Sequence, residues 1–347
     1  MKINAIYSGK IYEKMMNASD GKRDDLYRYE MMKPFEYKWA CINVPIKAAR
    51  KGGYDVVMAS EMMGLFPPER VDHSQKEAVE WLKEESLWSA SEEAIKKSLD
   101  CFVKAGIELP VQEYFFTLLL ANPDNPYTQM SEGYCGDGGI PGYILGSLVP
   151  SETTVARMPA ALAHECNHNV RFQFQKWRPD ITLAEMMVSE GLAENFAAAL
   201  YGEKAVGPWV TKTDASVLEE VIKPKIVEAF DVTGFDGITP WLYGDEIAEI
   251  QHFFPVGMPY CAGYACGYHM IRHYLKKTGV PIAEATLKPA AEIMAECSDF
   301  WGIDREAWPF YDKSRKNKSD VRPWTLSVRG LFQWFKTESG DEMLCHR

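Results

Sequence analysis

A chain of 347 residues with 46% hydrophobic content is long enough to bury a substantial core, in one large or two modest domains. Its formal net charge of −11, with no dense basic cluster to override it, excludes nucleic acid as the main partner. Residues 1–10 lack the apolar stretch of a signal peptide, no run approaches a membrane span, and the eight scattered cysteines show no zinc-finger spacing, so a cytoplasmic protein with reduced thiols and no membrane partner is expected.

In chain order, the first hundred residues read as mainly helical. Phe66-Pro67-Pro68 breaks the chain, and beyond it helical periodicity with acidic residues near the starts predicts helices over 76–88 and 91–103. Residues 1–105 are therefore expected to form a helical N-terminal region and one wall of a cleft, with 106–347 as a second domain. An apolar stretch predicts a strand over 112–120 that begins this second part. The segment 140–150, bounded by Pro141 and Pro150 and weakened by Gly142 and Gly146, predicts a short strand that proline confines to a sheet edge.

A helix is expected next from Val155 onward, rich in Ala, Leu and Met, with Pro159 in its first turn and Arg178-Pro179 at its end. It carries His164-Glu165-Cys166-Asn167-His168, an HExxH pattern. Residues four apart on a helix share a face, about 6 Å apart along the axis, so His164 and His168 can grip one metal ion. Glu165 sits about 100° round the helix, where a carboxylate reaches a water held by that metal rather than the metal itself. Two ligands and a general base thus lie within five residues.

Zinc used for hydrolysis takes three protein ligands and leaves a fourth position to water, so a third ligand is expected soon after His168. Arg171 and Phe174 stand where a metzincin extension would need Gly and His. Asp180 is a conceivable carboxylate, although it follows a proline at the helix end. A stronger candidate is the helical run 186–200, in which Glu190 and Glu194 share a face. Its small Gly191 and Ala193 and its apolar character favour burial against another element.

Residues 207–254 read as an irregular connection broken at Gly234, Gly237 and Pro240. In the helical segment 258–275, positions 260, 264, 268, 271 and 275 form an aromatic and aliphatic stripe. Such a stripe serves packing, but peptide hydrolysis also builds negative charge on the carbonyl oxygen, and a phenol from Tyr264 or Tyr268 would supply a donor to it. Gly263 and Gly267 leave room for another chain to approach closely. His269 and His273 repeat the four-residue spacing without the Glu and read as surface or cleft histidines. After residue 280 the chain returns to helix, then passes a basic stretch at 313–318, a solvated face, to an aromatic segment with Trp324 and Trp334.

HExxH followed by Ser189-Glu190-Gly191-Leu192-Ala193 resembles the gluzincin arrangement, in which the glutamate of such a segment is the third zinc ligand. More closely, the chain from about 111 to 279 is similar to the YjaZ-like family of predicted zinc-dependent proteases. The hallmarks appear in order: an apolar strand (Tyr114 to Leu120), a glycine-rich approach to a second strand (Gly136 to Val149), Ala163-His164-Glu165 to His168 with Arg171, then Glu190-Gly191-Leu192-Ala193-Glu194, and last Ala262-Gly263-Tyr264-Ala265-Cys266-Gly267-Tyr268 leading into Tyr274-Leu275. The resemblance implies that Glu190 binds zinc and that Glu194 hydrogen-bonds a ligand histidine. It further implies that Tyr264 or Tyr268 steadies the oxyanion, and that the strand holding Tyr143 and Gly146 lays an extended substrate along its edge.

The expected fold is α+β, mainly α: a zincin-like metallopeptidase with a small sheet beside the HExxH helix. The expected activity is Zn2+-dependent hydrolysis of a peptide or protein substrate. The alternatives are a zinc-bound regulatory protein without turnover and a zinc hydrolase of non-peptide amides. Glu165 argues against the first, since holding the metal needs only the ligands.

Overall fold

The computed structural model describes residues 1–310; the basic stretch 313–318, Trp324 and Trp334 lie outside the described residues. The fold is α+β, mainly helical with one small mixed sheet. The elements that matter for the site are β1 (Lys2–Ala5), α1 (Ser8–Met16), α2 (Glu85–Lys104), β2 (Glu113–Leu120), β3 (Tyr134–Asp137), β4 (Tyr143–Leu148), α3 (Glu152–Phe174), α4 (Leu183–Tyr201), α5 (Phe235–Tyr243) and α6 (Ala262–Thr278). Among the described residues no helix is long and apolar enough to cross a membrane.

The sheet runs in the order β1-β2-β4-β3, parallel at β1/β2 and β2/β4 and antiparallel at β3/β4. β2 is an almost unbroken apolar run, as a strand needs when it is covered on both faces. β4 is interior, which corrects the expectation of an edge strand at 140–150. Pro141 and Pro150 lie just outside Tyr143–Leu148, where no ladder hydrogen bond is required, so they impose no edge. Among the described residues the edge strands are β1 and β3, and β3 is the one that lies beside β4.

The N-terminal region does not stand apart from the rest. β1 pairs with β2, and one apolar core runs from Ile11 through the sheet and α3 to Ala283. The expected boundary near 105 therefore separates no independent cores, because residues 1–310 form one compact unit. The helix expected over 76–88 is also interrupted, ending at Trp81, and α2 begins at Glu85. Buried Trp88 explains the break, since its indole N–H donates to the Leu82 carbonyl at 2.7 Å and holds the chain turned there.

α3 starts at a capping box formed by Ser151 and Thr154, three residues before the expected start. Pro159 consequently lies inside the helix, where it withholds an N–H from the preceding turn. α4 begins at a second capping box, Thr182 with Glu185. Residues 207–254 are less irregular than expected: they form short helices, including α5, separated at glycines such as Gly234 and Gly244 with positive φ.

α4 and α6 meet backbone to backbone. A Cβ on Gly191 would run into the Gly267 carbonyl, and a Cβ on Gly267 would run into the Met187 carbonyl. Gly267→Ala is therefore expected to lower stability by about 1–3 kcal/mol, the usual range for overpacking. It should weaken metal binding as well, because α4 carries Glu190. Urea unfolding and metal titration of the variant check this; an unchanged midpoint would mean the two helices part without strain.

Candidate metal centre

α3 and α4 bring His164, His168 and Glu190 together, all buried. His164 Nε2 lies 3.0 Å from His168 Nε2, and Glu190 Oε2 lies 3.3 Å and 3.2 Å from the two nitrogens. An ion bonded tetrahedrally at about 2.0–2.1 Å holds its ligands roughly 3.3–3.4 Å apart, so this triangle fits one face of a zinc tetrahedron. The charges agree. Burial alone would push the His164 imidazole down, but Glu190 and Glu194 outweigh it and raise it well above the usual histidine range. Burial would likewise raise the Glu190 carboxyl, yet His168 and His164 hold it down to about 2. The cluster draws in positive charge.

The outer nitrogens are fixed too. His164 Nδ1 is 2.8 Å from Glu194 Oε2, and His168 Nδ1 is 3.2 Å from the Ser189 hydroxyl. With Nδ1–H donating outward to the carboxylate, His164 is left to offer its inward Nε2 to an ion that displaces the Nε2 proton. Glu194 is held by two further donors, the Trp209 indole N–H at 2.8 Å and the Gly207 backbone N–H at 2.6 Å. Asp180, the alternative ligand, is 77% exposed at its side chain, paired with Arg178, and outside the cluster.

Glu165 points from α3 towards the end of β3. The Gly138 N–H donates to its Oε2 at 2.7 Å. Side chains on Gly136 or Gly138 would collide with Glu165, so the glycines let the strand end press against it. Burial raises the Glu165 carboxyl above the usual range, with His164 and His168 opposing the rise.

The two tyrosines go to different places. The Tyr264 hydroxyl donates to the Tyr243 hydroxyl at 3.3 Å, and both phenols are raised by burial and then by the charge of Glu190. Tyr268 is turned away: its hydroxyl donates to Glu203 at 2.9 Å and accepts from Arg272 at 2.8 Å, and its ring packs with Ala198, Val206 and Val210. Of the expected pair, only Tyr264 keeps company with Glu190. His273 pairs with Asp299 at 3.1 Å and His269 packs on Tyr268, neither within the cluster.

Tyr143 and Gly146 do not line an open edge. Tyr143 stacks on Phe115 and Tyr37, while Gly146 faces α3, and a Cβ there would press on Met158 of α3 and on Leu118 of β2. Because successive strand residues face opposite ways, only one of the two can look towards α3.

Several residues at the site escape a reading by motif. Asp137, at the end of β3, forms an ion pair of 2.6 Å with buried Lys38. Asn169, one residue past the HExxH, accepts from the Gly142 N–H and donates to the Gly138, Ile140 and Tyr143 carbonyls. The run Gly136-Asp137-Gly138-Gly139 carried one legible signal, since glycine in and after a strand marks close backbone approach. Tyr243, Trp209 and Lys38 carried none, lying far from the motif in sequence.

Comparison with known proteins agrees with this geometry. A family model described as "Predicted Zn-dependent protease (DUF2268)" matches residues 87–295. The uncharacterized protein YjfC of Bacillus subtilis (strain 168) is 38% identical over 290 residues, covering 83% of this chain and 96% of its own. The uncharacterized protein YjaZ of the same organism is 25% identical over 142 residues, 40% of this chain and 51% of that one. No solved structure matches.

Proposed function

This chain belongs to the family of predicted Zn-dependent proteases, DUF2268, and from that premise we propose that it hydrolyses peptide bonds at a zinc ion held by His164, His168 and Glu190. The observation that carries the reading is the convergence of two imidazole nitrogens and one carboxylate oxygen within 3.0–3.3 Å, with Glu165 on the same helical turn. Bound zinc would supply Lewis acidity, polarising a carbonyl and lowering the pKa of a water. Glu165 would take the proton of the attacking water and deliver it to the leaving amine. The Gly138 N–H holds the base in place, and the Tyr264 phenol, on turning its one hydroxyl proton away from Tyr243, would donate to the oxygen that gains charge. Glu194 orients His164. An extended peptide would add to β3, the edge strand among the described residues that lies against Glu165. This arrangement amounts to a zincin-like, gluzincin-type site.

The purified chain is expected to carry about one zinc ion, since three ligands and one water complete a tetrahedral site. Elemental analysis after dialysis measures this, and replacing both histidines by Ala should abolish binding. An unfolded protein such as casein should be cleaved, with loss of cleavage on chelation and recovery on adding zinc. A folded chain that neither retains nor rebinds zinc removes the proposal. One that binds zinc but leaves unfolded proteins and peptides intact turns it towards the regulatory or non-peptide reading.

A further inference from the structure

Lys38 lies outside the matched segment 87–295 yet reaches the rim of the site at Asp137. It stands on the short helix Glu36–Cys41, between buried Phe35 and Trp39, with only 1% of its side chain exposed. A lysine normally keeps its ammonium in water, and burying the charge carries a penalty that an apolar side chain of the same length would avoid. Packing alone therefore gives no reason for a lysine at this position. Its Nζ meets Asp137 Oδ2 at 2.6 Å and lies 4.7 Å over the Trp39 ring.

Asp137 is the last residue of β3, and its second oxygen accepts from the Gly139 N–H at 3.1 Å. Between those two residues stands Gly138, whose N–H holds Glu165. The turn 138–142 is rich in glycine and hence soft. Asn169 of α3 holds it through the Gly142 N–H at 2.7 Å and the Gly138, Ile140 and Tyr143 carbonyls. Lys38 holds the strand end that leads into it, through Asp137. Asp137 is 25% exposed at its side chain, so without the ammonium its carboxylate keeps the Gly139 N–H but can tilt towards solvent, loosening the backbone next to Gly138.

We propose that Lys38 is a positioning residue for Glu165, acting through Asp137 and the Gly138 N–H; the inference rests on the reading of Glu165 as general base. The ion pair thus makes the N-terminal region part of the working site. Lys38→Met removes the charge at similar volume, and the zinc ligands on α3 and α4 stay untouched. In the zinc-loaded full chain this variant is expected to keep its zinc and its fold, to change KM little, and to lower kcat about 10- to 100-fold, as misplacement of a catalytic group does.

A second readout does not depend on turnover. Labelling Asp carbonyl carbons and Gly nitrogens selects three Asp-Gly pairs, at 20–21, 137–138 and 236–237, so the Gly138 amide can be followed by NMR and identified by its response to Glu165→Gln. In Lys38→Met the Gly138 signal should move and its proton should exchange faster with water. Should that variant unfold, Lys38→Met combined with Asp137→Asn removes both charges and is read in the same two ways. An unmoved Gly138 amide overturns the proposal, as does a kcat within about twofold of the parent at equal zinc content. If the parent hydrolyses no peptide, the functional reading fails by itself, and the Gly138 signal still decides the role of Lys38.

Discussion

Glu165→Gln is expected to leave zinc bound while lowering peptide hydrolysis by about 10²-fold or more, the usual contribution of a positioned general base. The geometry makes this a clean substitution. Glu165 is held by the Gly138 N–H rather than by a metal ligand, and an amide oxygen accepts from that N–H as a carboxylate does. The side chain thus keeps its volume and its anchor, in a place where neighbouring glycines leave no slack. It loses only the ability to take a proton. Burial, which raises the Glu165 carboxyl, also lowers the cost of replacing it by a neutral group. Zinc content by elemental analysis and kcat on an unfolded protein check the two halves separately. Hydrolysis at the parent rate would show that the water is activated by another group, or that the activity belongs to a contaminant.

The parts of the site legible in the sequence are those where one element supplies several groups at helical spacing. His164, Glu165 and His168 share α3, and Glu190 and Glu194 share α4, so period and motif were sufficient to name them. What the sequence hid is whatever depends on two elements meeting. Tyr264 and Tyr268 are one helical turn apart on α6, and only the packing of α6 on α4 through Gly191 and Gly267 shows which of them faces Glu190. The sheet order is of the same kind: Pro141 and Pro150 mark a strand's ends, but whether another strand pairs beyond it is set by where β3 returns. Lys38 is furthest from view, since it touches the site through a single hydrogen-bonded partner distant in sequence.

The second large effect separates the two acids of α4. Glu190→Gln replaces an anionic donor by a neutral amide in the triangle itself and should weaken zinc binding the most. Glu194→Gln leaves all three ligand atoms in place, but its consequence is more than one lost hydrogen bond. Glu194 accepts from His164 Nδ1 and the Trp209 indole on Oε2 and from the Gly207 N–H on Oε1, so every partner is a donor. A glutamine must turn its own NH2 towards one of them, setting donor against donor in a buried site. The structure therefore places the Glu194 variant at the upper part of the roughly 10- to 100-fold loss usual for groups that orient a metal ligand. Asp180→Asn, at an exposed carboxylate paired with Arg178, should leave zinc affinity unchanged. Competition against a chelator measures all three. A larger loss for Glu194→Gln than for Glu190→Gln would exchange the roles of the two acids, because only a residue that touches the ion directly loses its whole contribution when its charge is removed.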